Sequence, residues 1–261
     1  MAKHAHHPLA LVPNYRGRKS IDCCRKIWGL SRGPIYEPFG GSGVLTLNFG
    51  GPKSCWNDTN PHIRGIAAAV MCDLDGFRRE CRSLPLGGQP GSCGDPRARW
   101  PAGDAVLARV SNRASGDGCS PAEYAWALAF TFAARLSGRA HKEGHPIWVK
   151  WLETLGRLRE RLAEVLLDDV DALDFIATAP PGATIYADPP YGSHDDYHGN
   201  TVDLAAMFDS LERHPGRVIV SGYQLRAGWR KAEIIPVRTR ANRSAGHTKN
   251  DRRKEWLQWI N

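Results

Sequence analysis

The 261-residue chain has no apolar run approaching the roughly eighteen residues that cross a bilayer. Its start, Met1-Ala-Lys-His-Ala-His-His7, lacks the apolar core of a signal peptide. A cytoplasmic protein is expected from these two absences. Cysteine is sparse and unpatterned: seven residues, at 23, 24, 55, 72, 81, 93 and 119, with no C-x-x-C pair. An odd number without such spacing argues for reduced thiols rather than a disulfide framework or a zinc site. No internal repeat is apparent. Negative charge is also short, because 27 Asp and Glu face 35 Lys and Arg, leaving a formal charge of +8 and a pI near 9.3. That excess suits a polyanionic partner, most plausibly nucleic acid. The length fits one α/β domain carrying an inserted subdomain.

What is present centres on Asp188-Pro189-Pro190-Tyr191. The run Ala183-Thr-Ile-Tyr-Ala187 before it reads as a buried strand closed by proline. An acidic-Pro-Pro-aromatic sequence at the carboxyl end of a strand gathers a carboxylate, a rigid backbone carbonyl and a flat ring. A flipped base with an exocyclic amine requires that set. The Asp188 side chain and the Pro189 carbonyl each accept one amine hydrogen, and Tyr191 stacks on the base. Taken by itself, the tetrapeptide reads more simply as a strand ending in a proline turn.

Other segments shift that balance. Ile35-Tyr-Glu-Pro-Phe-Gly-Gly-Ser-Gly-Val44 reads as a short strand running through glycines into a helix, 44–49. Glycines after a first strand allow close approach to a nucleotide-like ligand. Their spacing is not G-x-G-x-x-G, so a nicotinamide cofactor is not favoured. A second strand, 53–56, delivers Asn57-Asp58-Thr59-Asn60-Pro61. Asp58 stands where an acidic residue meets ribose hydroxyls, and it also suits the cap of a helix beginning near Pro61. Upstream, Tyr15 and Lys19 flank Gly17, a pattern that lines a pocket or forms a basic surface turn, followed by a helix over 20–30.

The spacing predicts one helix over 62–82 and a loop-rich insert over 84–121. Arg97, Arg99, Arg109 and Arg113 in that insert suit phosphates or base edges. Helices are expected over 122–136, 148–164 and 203–213, an acidic loop as far as Asp174, and strands over 165–167, 217–222, 231–240 and 255–260. The run 192–200 suits a loop closing over a flipped nucleotide, and the basic stretch 240–249 suits the DNA backbone. His194 with His198, and His141 with His145, stand four apart, but glycines around the first pair argue against helical presentation of metal ligands.

Together the segments Glu37-Pro-Phe-Gly-Gly-Ser-Gly43, Asn57-Asp58-x-Asn60 and Asp188-Pro-Pro-Tyr191, in that order, resemble the Dam-like (D12-class) family of DNA adenine-N6 methyltransferases. The likeness spans nearly the whole chain. Arg161-Leu162-x-x-Val165 with Asp168, Ser221-Gly222-Tyr223 and Arg253-Lys-Glu255-Trp-Leu257 also look similar to family segments. The family's opening motif has a Trp and a Gly-Gly pair where this chain has Tyr15, Gly17 and Arg18.

The resemblance implies an α/β fold, a Rossmann-like sheet that is mostly parallel with a C-terminal antiparallel hairpin, plus an inserted, largely helical target-recognition subdomain. Residues 1–61 and 162–261 would form the catalytic domain and 62–161 the recognition region. It implies S-adenosyl-L-methionine as methyl donor, no metal, DNA (double-stranded) as partner and a possible cognate restriction endonuclease. The cofactor site would involve Tyr15, Lys19, Asp58 and Asp188, with Glu37, Pro38, Phe39, Gly40, Gly41 and Gly43 as its floor. Asp188, Pro189, Pro190 and Tyr191 would carry catalysis by direct methyl transfer to the adenine amine. The same acceptor pair also suits the N4 amine of cytosine. An RNA or protein amino-methyltransferase and a catalytically silent DNA-binding relative are the remaining readings.

Overall fold

The computed structural model describes residues 7–14, 19–86, 100–112, 118–131, 136, 140–141, 144–189, 202–222, 227–234 and 255–261. The chain divides into two compact units, one of residues 19–40, 48–59 and 165–261, the other of residues 1–18, 41–47 and 60–164.

The first unit holds a mixed sheet. Its strands are β1 (Ile35–Glu37), β2 (Cys55–Asn57), β3 (Leu166–Asp168), β4 (Thr184–Ala187), β5 (Arg217–Gly222), β6 (Arg230–Ile234) and β7 (Glu255–Ile260). They lie in the order β3-β2-β1-β4-β5-β7-β6. β1 to β5 pair in parallel, while β7 runs antiparallel to both β5 and β6. This is the α/β sheet expected, mostly parallel with a closing antiparallel pair. Every residue of β4 and β5 is buried, as central parallel strands with β-branched runs require. The chain moves outward from β1 to β2 and β3, then returns to place β4 on the other side of β1. That reversal falls between β1 and β4, and the carboxyl ends of strands at such a point are where open α/β sheets bind ligands.

Alternation along the strands separates two faces. Ile185 and Ala187 of β4 and Val218 and Val220 of β5 join Ile176, Met207 and Leu211 in an apolar cluster. Those last three belong to α8 (Ala172–Thr178) and α9 (Leu204–Arg213), so both helices cover this face. The opposite face carries Tyr186 and Ser221. α1 (Ile21–Leu30) starts with Ser20 accepting the Cys23 N–H, and α2 spans Val44–Phe49.

The second unit is helical: α3 (Pro61–Cys72), α4 (Leu74–Ser83), α5 (Pro101–Asn112), α6 (Pro121–Phe130) and α7 (His145–Leu162). α6 is buried from Tyr124 to Phe130, the signature of a helix surrounded by others. A capping box starts it, with Ser120 accepting from Glu123 N and Glu123 accepting from Ser120 N. Around it the rings of Trp126 and Phe130 stack at 4.6 Å, and Trp148 and Trp151 meet at 5.3 Å. Trp126 Nε1 donates to the Pro85 carbonyl at 2.7 Å and Trp151 Nε1 to the Ala10 carbonyl at 3.1 Å. Arg161 donates to the carbonyls of Leu47 (3.1 Å) and Thr46 (3.3 Å), which belong to the same unit.

Several sequence expectations need correction. The single helix over 62–82 is two helices, because Asp73 accepts the Gly76 N–H at 2.8 Å and so caps a new start. The loop-rich stretch 84–121 contains α5, whose Val106, Leu107 and Val110 bury one helical face. The acidic loop before Asp174 becomes α8, with Asp171 as its cap. The helix expected to reach 136 ends at Phe130, since Thr131 turns to extended backbone and bridges Ala140. The helix starting at Pro61 is capped by Asn60, whose side chain accepts the His62 N–H, and not by Asp58. No helix among the described residues is long and apolar enough to cross a membrane.

Candidate active site at the carboxyl edge of the sheet

Asp188 and Pro189 follow β4 directly, and β4 lies beside β1 with Tyr36 opposite Ile185. The carboxyl end of β1 therefore sets Glu37, Pro38, Phe39 and Gly40 next to Asp188 along the same edge. β2, on the far side of β1, brings Asn57 and Asp58 to that edge. β5, on the other side of β4, brings Ser221. Parallel pairing thus aligns the ends of four strands that are remote in sequence.

Asp188 is held by a polar network on the face opposite α8 and α9. The Lys19 ammonium lies 3.0 Å from Oδ1 and 2.9 Å from Oδ2, with the two side chains only 14% and 17% exposed. Ser221 Oγ donates to Asp188 Oδ1 at 2.7 Å. Tyr186 OH lies 2.9 Å from Ser221 Oγ. A serine hydroxyl has one hydrogen. Because Ser221 directs it at the carboxylate, the Tyr186 hydroxyl is the donor to Ser221. Tyr186 to Ser221 to Asp188 is therefore a one-way chain that fixes the carboxylate, and Lys19 pairs with both of its oxygens. Charge-assisted bonds of this kind are about twice as strong as neutral ones.

The glycine turn has its own geometry. A Cβ on Gly40 would stand 2.1 Å from the Trp56 ring, so the close approach that excludes a side chain there is to the protein's own indole. Gly40 N also donates to the Asn57 carbonyl at 2.9 Å. Gly41 and Gly43 take φ of +51° and +64°, the left-handed region open to glycine. Phe39 packs against the apolar cluster under the sheet, while Glu37 is buried. Asp58 stands half-buried after β2, its N–H donating to the Asp168 carbonyl at 3.1 Å.

No family model matches this chain, and no curated protein matches it.

Of the residues singled out from sequence, Lys19, Glu37, Pro38, Phe39, Gly40, Asp58, Asp188 and Pro189 all belong to the sheet unit. Gly41 and Gly43 fall in the division that holds the helices. Tyr15, Pro190 and Tyr191 lie outside the described residues, as do the 192–200 loop, the 240–249 stretch and the His194 and His198 pair. Lys19 and Asp188, both expected at the cofactor, pair with each other.

Sequence reasoning missed Tyr186 and, though it quoted Asn57 as a motif residue, gave that side chain no role. Tyr186 looked like one more apolar residue of the strand, yet it stands two positions before Asp188 and so shares its face. Asn57 donates from Nδ2 to the carbonyls of Pro38 (3.2 Å) and Val170 (2.9 Å) and accepts the Val170 N–H at Oδ1 (2.9 Å). That one amide ties the turn after β1 to the chain leaving β3. Burial pushes the Cys55 thiol up to about 12, with Asp168 adding to the effect. Burial, then Cys55, raises the Tyr36 phenol as well.

Proposed function

We propose that the protein transfers a methyl group from S-adenosyl-L-methionine to the N6 amine of an adenine flipped out of DNA. The observation that carries this reading is the placement of Asp188 and Pro189 at the carboxyl end of β4, beside β1 at the strand-order reversal, with Asp188 held by Lys19 and Ser221. The order of the glycine turn, the Asn57-Asp58 pair and the Asp188 tetrapeptide supports it, as does the net charge of +8.

The residues at the edge suit such a donor. Glu37 and Asp58, at the ends of neighbouring parallel strands, offer carboxylates for ribose hydroxyls. The donor supplies, when bound, a methyl already activated on a sulfonium. The remaining work falls to the chain's own groups. Asp188 and the Pro189 carbonyl accept the two amine hydrogens, which concentrates the nitrogen lone pair on the face toward the methyl. Catalysis then rests on positioning and electrostatics. The amine hydrogen meets a carboxylate that Lys19 already engages, so Lys19 shifts or shares Asp188 when the base arrives. Tyr191 would stack on the base, an interaction worth about 1–3 kcal/mol. The 62–161 region is assigned the reading of the target.

Replacing Asp188 with alanine should lower methyl incorporation into DNA by about a hundredfold or more, the scale on which one aligned electrostatic group acts, while calorimetry still detects cofactor binding. Near-normal turnover in that variant defeats the assignment. Mass spectrometry of nucleosides from the product distinguishes N6-methyladenine from N4-methylcytosine, the second amine the same acceptors suit.

A further inference from the structure

The opposite end of the sheet carries an arginine whose buried Nε finds no acceptor among the described residues. Arg217 opens β5 and is only 8% exposed. Its Nε is buried and makes no hydrogen bond among the described residues. None of the ion pairs found among those residues includes it. A buried guanidinium ordinarily finds a carboxylate, a carbonyl or a bound ion.

Its neighbours deepen the anomaly. Arg217 pairs with Thr184 of β4. The Thr184 hydroxyl accepts the Arg32 N–H at 2.7 Å and donates to the Arg32 carbonyl at 2.7 Å, so Arg32 is pinned beside that pair. Arg230 of β6 pairs with Trp259 of β7, and Trp259 pairs with Ile219, two residues beyond Arg217. Residues opposite each other across strands share a face, and so do residues two apart. Arg217 and Arg230 therefore lie on one face of the sheet. Burial, then the charges of Arg32 and Arg230, pull the Arg217 pKa down. A buried charge among like charges is costly unless a counter-charge joins it.

We propose that Arg217, with Arg32 and Arg230, forms a binding site for a phosphate-type oxyanion at the amino end of the sheet. A guanidinium fork matches the geometry of phosphate oxygens, and its donors are satisfied two at a time. Arg217 and Ser221 are four residues apart on β5, about 13 Å along an extended strand. The site is thus separate from the Asp188 edge and does not depend on the methyl-transfer reading.

The test uses the full chain and inorganic phosphate, by calorimetry and by thermal unfolding at ionic strength held constant with chloride. Phosphate should raise the melting temperature saturably where chloride does not. Arg217→Met should lose at least tenfold in phosphate affinity and melt no lower than the parent in the absence of phosphate. Arg230→Gln, an exposed change that keeps the fold, should weaken phosphate several-fold and decides the matter if the Met variant does not fold. A DNA duplex titrated in parallel identifies the source of the phosphate. If the backbone supplies it, Arg230→Gln reduces the salt dependence of DNA binding by about one counterion. If free phosphate is the ligand, DNA binding is unchanged. Equal phosphate responses in the parent and both variants, or no saturable response, mean an adventitious ion only and overturn the site.

Discussion

The two units are stabilised by different chemistry. In the helical unit the interior is aromatic and continuous, with Trp100, Trp126, Phe130, Trp148 and Trp151 in successive ring contacts. In the sheet unit the interior under α8 and α9 is aliphatic, and its carboxyl edge is stitched by polar groups: Lys19 and Ser221 on Asp188, and Asn57 on Pro38 and Val170. Large rings bury area wherever they sit, so the helical unit gains stability mainly from apolar burial, with the Trp126 and Trp151 indole N–H groups satisfied by backbone carbonyls. Hydrogen bonds fix direction, so the buried polar groups of the sheet edge gain alignment as well as burial. Perturbing the first should cost stability, and perturbing the second should cost chemistry.

The largest effect falls on the aromatic interior. Trp126→Ala removes a fully buried ring and its bond to Pro85, and should lower unfolding free energy by about 3–5 kcal/mol, read by urea denaturation. A loss comparable to that of a surface change would mean the rings are not the unit's core.

Each unit also holds a buried thiol with a strongly raised pKa, and alkaline pH compares them. Burial pushes Cys55 in the sheet unit and Cys81 in the helical unit up to about 12 from an ordinary value of 9.0. The fold holds the neutral thiol. The stability this provides is complete below the unfolded value near 9.0 and is lost as pH rises toward about 12, at up to about 1.4 kcal/mol per pH unit for each thiol. Cys55→Ala and Cys81→Ala should each flatten the alkaline limb of a stability profile. A limb unchanged in both variants places its origin elsewhere.

At the sheet edge the expected losses are kinetic. Ser221→Ala should reduce kcat for methyl transfer about tenfold, the worth of one hydrogen bond to a charged group, with KM and melting temperature little changed. Tyr186→Phe should do less, and the double variant should be no worse than Ser221→Ala, because the Tyr186 hydroxyl bonds Ser221 Oγ, which in turn donates to Asp188. Additive losses would break the chain inferred from the hydroxyl geometry. The smallest effect is expected at the start of α6. Ser120→Ala removes half of a capping box and should cost about 1 kcal/mol with activity retained.

Much of the sheet was legible because its strands are short, apolar and closed by punctuation. Ile35, the 183–187 run and 217–222 each end at glycine or proline, and each is a strand in place. The helical unit was less legible. α5 hides its three buried apolar residues among Gly, Ala and Arg, and the break at Asp73 depends on a side chain choosing its own backbone over the helix. At the site, the sequence marked both Asp188 and Lys19 but not their pairing, which joins residues 169 positions apart. It passed over Tyr186, whose hydroxyl matters only because Ser221, 35 residues away, faces it.

The chain's own pattern determined where strands and turns fall, the excess of positive charge and the identity of the residues at the strand ends, since these depend on neighbours within a few positions. The pairing of β4 with β1 on one side and β5 on the other was decided only by tertiary structure, and with it the meeting of Lys19, Ser221 and Asp188 and the stranding of Arg217 among like charges. Those outcomes follow from strand order and register, which join residues more than a hundred positions apart through backbone hydrogen bonds that no local pattern encodes.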